Sequence, residues 1–86
     1  MSIIFAKSAN NHGISLDLCE TIINNYPGIP VGTSRENFHK LLWLVEASPG
    51  VLIEIIAIDF IHYYYVIHLK IANGKDKNDV TYRRFF

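Results

Sequence analysis

The chain carries four histidines (His12, His39, His62 and His68), three consecutive tyrosines from Tyr63 to Tyr65, and a lone cysteine, Cys19. Paired imidazoles can hold a metal ion or shuttle protons at a phosphate. A helical metal pair needs i, i+4 spacing, and a zinc site needs clustered Cys and His. Neither spacing occurs, so no metal and no cofactor are expected. His62 and His68 fall near one predicted strand, where six residues span roughly 20 Å, too far for both rings to serve one phosphate. Only a fold-back at a turn would join them, so ordinary surface or half-buried histidines are the better reading.

Cys19 sits among Leu16, Leu18, Ile22 and Ile23, the setting of a buried, inert thiol. Being single, it excludes an intrachain disulfide. Asn73-Gly74-Lys75 lacks the spacing of a phosphate-binding loop. In the tyrosine run, strand alternation buries two rings and exposes one, and Tyr64 is expected to be the exposed ring, free to stack on a base or anchor a partner.

The elements that must position these groups read as follows. Ser2 to Lys7 is a first strand, short and β-branched. Ser15 to Tyr26 is a helix with Ser15 as N-cap and an apolar stripe of Leu16, Cys19, Ile23 and Tyr26, stopped by Pro27-Gly28. Thr33 and Glu36 have capping-box spacing and predict a second helix, with Phe38, Leu41, Leu42 and Val45 as its core stripe and Ser48-Pro49-Gly50 as its end. Residues 51–58 and 63–72 predict two antiparallel strands with a tight connection; one long bent strand is the alternative. Asn73 to Asp79 is a loop and Val80 to Phe85 a last strand. The expected fold is a single α+β domain over residues 1–86, two helices packed on one face of an antiparallel sheet, in the order β-α-α-β-β-β. Where the first strand docks stays open.

If the connection holds an odd number of residues, the odd positions of both strands share the helix-covered face. Phe38, Leu42, Ile55 and Ile67 are then core. The other face carries Leu52, Glu54, Ile56, Ile58, Tyr64, Val66, His68 and Lys70. With the strands paired about residue 61, Glu54 lies opposite His68 and holds its imidazole. Glu54, Tyr64, Val66, His68 and Lys70 form the expected partner-binding site, with no catalytic residue among them.

Composition narrows the function. Half of the 86 residues are hydrophobic, 19% are charged and the net charge is zero. So much apolar mass in a short chain predicts association with a protein partner, itself or another. Nucleic-acid binders usually carry a basic excess, so the zero net charge disfavours that partner. Locally, Lys70, Lys75, Lys77, Arg83 and Arg84 face only Asp76 and Asp79. Val51 to Leu69 is long and apolar, but Glu54 and Asp59 inside it argue against a membrane span. With no charged signal segment at the start, a cytoplasmic setting is expected. The residues favour binding over catalysis: an inhibitor, antitoxin or immunity-type module that neutralises or regulates a partner protein. The alternatives are a metal-independent ribonuclease of the toxin type, using His68, Lys70, Tyr64 and Arg83, and a dimeric structural subunit.

Overall fold

The computed structural model describes residues 2–9, 13–72 and 83–84. In chain order the elements are β1 (Ser2–Phe5), α1 (Leu16–Asn25), β2 (Ile29–Thr33), β3 (His39–Ser48), β4 (Val51–Asp59), β5 (Tyr63–Ala72) and β6 (Arg83–Arg84). The sheet runs β1-β5-β4-β3-β2, and β6 pairs with β3 beside Val45 and Glu46. β1 on β5 and β6 on β3 are parallel, while the other pairs are antiparallel. The expected two helices on an antiparallel sheet are therefore overturned: among the described residues one short helix packs on a mixed sheet. His12, the loop at 73–79 and most of the expected last strand lie outside the described residues.

The correction lies at residues 33–48. Thr33 caps no helix; it ends β2, in register with His39. Residues 34–38 close a hairpin, in which the Ser34 N–H donates to the Phe38 carbonyl at 2.8 Å and the Asn37 N–H to the Ser34 carbonyl at 3.0 Å. Asn37 takes φ 68°, the left-handed conformation that Asn tolerates. The physical reason for the misreading is burial on two sides. Leu41, Trp43 and Val45 bury on the helix side of β3, and Leu44 buries on the other. A strand apolar on both faces has no alternation and imitates a helical stripe.

Helix α1 forms where its caps dictate. The Ser15 hydroxyl accepts from the Leu18 N–H at 3.4 Å, and the Tyr26 N–H donates to the Ile22 carbonyl at 3.1 Å. Cys19, Ile22 and Ile23 meet Trp43, Val45, Ile53, Ile55, Ala57, Val66 and Leu69 in one core. The Trp43 indole N–H donates to the Tyr26 carbonyl at 2.7 Å, which ties the helix exit to β3. Gly28 permits that approach, since a Cβ there would stand 2.8 Å from both Leu41 Cβ and Trp43 Cζ2.

Burial pushes the Cys19 thiol up from 9.0 to about 11. At pH 8 that leaves about 100-fold less thiolate than in the unfolded chain. A thiol reagent is expected to modify the native protein at least that much more slowly than the protein in urea; equal rates would show an open thiol. The folded value lies above the unfolded one, so this contribution to stability is intact below pH 9 and is lost as pH rises toward about 11.

The two antiparallel strands expected at 51–58 and 63–72 are present as β4 and β5. The first strand docks in parallel on β5, with Ser2 beside Tyr63 and Phe5 beside Val66. The register between β4 and β5 shifts: Ile56 pairs with His68, but Ala57 pairs with Val66, which leaves Ile67 as a bulge. One extra residue reverses every side chain on the near side of it. The helix side therefore receives Tyr64 and Val66 together with Leu69, while Tyr63, Tyr65, His68 and Lys70 share the helix-free side. Of the expected core, only Ile55 is fully buried; Phe38, Leu42 and Ile67 are half-buried.

No described helix is long and apolar enough to cross a membrane, and the apolar stretch at 51–69 is folded as hairpin strands.

Candidate protein-binding face

The helix-free side of the sheet is built from the even positions of β3 and β4 and from β5 on either side of its bulge. Leu42, Ile56 and His68 lie side by side across three strands, as do Leu44, Glu54 and Lys70. Toward the β4–β5 turn come Ile58 and Tyr65, with Ile4 beyond them on β1. Leu44 and Leu52 are buried at the far end. Leu42, Ile56, Ile58, Tyr63 and Tyr65 are half-buried, and Ile4 is 47% exposed. Aromatic rings rim the turn end. Phe60 lies 4.9 Å from Phe38, 5.3 Å from Tyr63 and 6.2 Å from Tyr65, centroid to centroid.

Of the five expected site residues, the fold brings three together. His68 Nε2 lies 2.9 Å from Glu54 Oε1. The contact is diagonal, because Glu54 stands in register with Lys70 rather than with His68. Lys70 is exposed next to that carboxylate. Tyr64 and Val66 belong to the opposite face. Val66 is fully buried, and the Tyr64 ring meets Trp43 edge-on at 5.5 Å. Burial, and then the Asp59 charge, raises the Tyr64 hydroxyl above its ordinary value. The expectation that these two side chains stand on the partner-facing surface is overturned by the bulge at Ile67.

The chemistry open to this face is limited. Glu54 occupies the projecting nitrogen of His68 and leaves only Nδ1, the nitrogen nearer the backbone. No Ser, Cys or Thr side chain adjoins the pair on the sheet, where its neighbours are Leu44, Leu42, Ile56 and Lys70. Among the described residues no three of His, Cys, Asp and Glu converge on a point, and no pocket opens.

Sequence reasoning missed Ile4, Phe38, Phe60, Tyr63, Tyr65 and Ile61 as surface groups. For Phe38 the signal was Ser34-Arg35-Glu36-Asn37, a run of turn formers with Asn at the position that becomes left-handed. For the tyrosines there was none, since the bulge at Ile67 carries no Gly, Pro or Asn. No protein-family model, curated protein or solved structure matches the chain significantly.

Proposed function

We propose that this protein is a small binding module that docks its helix-free sheet face on a partner protein and thereby regulates or neutralises it. One observation carries the reading. Leu42, Ile56, Ile58, Tyr63 and Tyr65 form a contiguous, partly exposed apolar and aromatic surface on the side that the helix does not cover. Such a patch, with charged groups at its margin, has the composition of an interface core and rim. Glu54, His68 and Lys70 form that margin here. The held imidazole gives fixed hydrogen-bonding geometry, and Lys70 steers acidic groups.

The test uses the tagged chain to isolate and identify its partner, followed by titration of the purified pair. Ile56→Lys is expected to keep the far-ultraviolet dichroism of the wild type and to weaken binding by more than tenfold, about 1.4 kcal/mol. Unchanged affinity would reject this face.

The pair of His68 and Glu54 beside Lys70 gives the ribonuclease alternative its one supporting feature, since RNA supplies its own 2′-hydroxyl nucleophile. That reading falls behind on placement. Tyr64 stands on the opposite face, and Arg83 joins the sheet beside β3, with β3 and β4 between it and His68. RNA cleavage by the wild type, abolished in His68→Ala, would reverse the order of the two.

A further inference from the structure

We infer that two copies of this chain join through β1, edge to edge and antiparallel about Ile4, to make one continuous sheet. The edge is distinct from the helix-free face, so this dimer stands or falls apart from the binding reading above.

The two ends of the sheet are built differently. β2 closes one end with devices that keep an edge strand single: Pro30 has no N–H, and the register shifts between Pro30 and Gly32. β1 closes the other end, and no described strand lies beyond it. Ser2, Ile3, Ile4 and Phe5 include no proline and no charge, and their register on β5 is unbroken. The Ala6 N–H donates to the Val66 carbonyl at 2.9 Å, so the backbone groups of Ala6, and of Ile4 two residues before it, face β5. By the same alternation, the N–H and carbonyl groups of Ile3 and Phe5 face away from the sheet. An outward row of such groups is a template for one more strand.

That outward pattern is its own complement. Antiparallel pairing about Ile4 sets Ile3 opposite the partner's Phe5, and Phe5 opposite the partner's Ile3. These are the residues whose backbone groups face outward, so each pair exchanges both of its hydrogen bonds. Ile4 meets its own copy on the two-fold axis, in the close type of pairing with about 4.5 Å between Cα atoms. The side chains match as well. On the helix side, Ile3 and Phe5 are half-buried against the core and extend it across the axis. On the helix-free side, Ile4 is 47% exposed and gains an isoleucine as cover. A two-fold axis sets a charge at the edge against its own copy, which penalises a charged edge. Ser2 to Ala6 carries none, and Lys7 lies past the strand in a turn. Ile4 is in register with Tyr65, and Tyr65 with Ile58, so the apolar bands of the two copies fuse into one surface through the axis. Backbone groups, apolar side chains and charge all match a second copy.

Sedimentation equilibrium of the full chain at micromolar concentration is expected to give twice the mass of 9.9 kDa. Ile4→Lys brings two ammonium groups together at the axis, and is expected to give the monomer mass with the far-ultraviolet dichroism retained. A second measurement covers the case in which that variant fails to fold. Ile4→Cys is expected to form a covalent dimer with oxidised glutathione, since the paired Cα separation suits a disulfide. Ile71→Cys is the control: the site is 53% exposed but lies six residues past Tyr65, the neighbour of Ile4, roughly 20 Å along the strand. Cys19 is buried in both variants. A wild type of monomer mass overturns the proposal, as does a dimer that Ile4→Lys leaves intact, or equal crosslinking at positions 4 and 71. A dimer lost in Ile56→Lys and kept in Ile4→Lys moves self-association to the helix-free face and overturns the edge. A monomeric wild type that binds its isolated partner at least tenfold more tightly than Ile4→Lys gives the edge to a strand of that partner, and overturns the second copy. Ile56→Lys that dimerises but binds the partner at full affinity supports the edge and rejects the face alone.

Discussion

Trp43→Ala is expected to lower the free energy of unfolding by about 3–5 kcal/mol, as large aromatic truncations in cores do. Three contacts converge on this side chain. It is buried between α1 and the sheet, it donates to the Tyr26 carbonyl at 2.7 Å, and the Tyr64 ring meets it edge-on at 5.5 Å. The truncation removes the packed volume and leaves the Tyr26 carbonyl without its indole donor. A domain of this size has only about 5–15 kcal/mol in total, so a large share of its margin goes. Trp43→Phe keeps much of the ring and loses the donor, and about 1–3 kcal/mol is expected. Urea unfolding followed by far-ultraviolet dichroism measures both variants, since Trp43 is the only tryptophan and cannot report on its own removal. Equal losses in the two variants would mean that the lost hydrogen bond carries the whole effect and that the packed volume adds nothing beyond it.

Val66→Lys is expected to abolish cooperative folding, and Tyr65→Lys is expected to be tolerated. Val66 is 0% exposed, packed on the helix side between Ala57 of β4 and Phe5 of β1. An ammonium there has no partner, and an uncompensated buried charge costs about 3–5 kcal/mol. Tyr65 is the next residue but points to the helix-free side and is partly exposed. A lysine there can extend to water with its stem along the sheet. Thermal melts of the two variants read the phase of β5 directly. The reverse outcome, with Val66→Lys folded and Tyr65→Lys unfolded, would mean that the strand has no bulge at Ile67. Because Tyr65 lies on the proposed face, its lysine variant should fold and yet bind poorly, which separates folding from recognition at adjacent positions.

Several features were legible in the residues themselves, and they are the ones decided by local chemistry. Ser15 accepts a helix N–H, and Pro27-Gly28 follows the end of α1, so the helix falls where its caps put it. Asp59 to His62 interrupts an apolar stretch too long for one strand, and the chain turns there. Cys19 lies within an apolar helix face and is buried. The contact of Glu54 with His68 was also foreseen, although it forms along a diagonal rather than in direct register.

What only the tertiary structure decided concerns sides and partners of strands. Phe38, Leu41, Leu42 and Val45 satisfy a helical stripe and a strand buried on both faces equally well. The choice went to the strand because β2 and β4 flank β3 with hydrogen bonds that no local spacing encodes. The bulge at Ile67 is a compromise of register between β4 and β5, unmarked by residue type. Yet it decides that Tyr64 and Val66 enter the core while Tyr63 and Tyr65 reach the surface. Caps and turns depend on neighbours within a few residues, and so the sequence by itself determined them. Which face of a strand meets water depends on residues far along the chain, through a period of two that one inserted residue reverses.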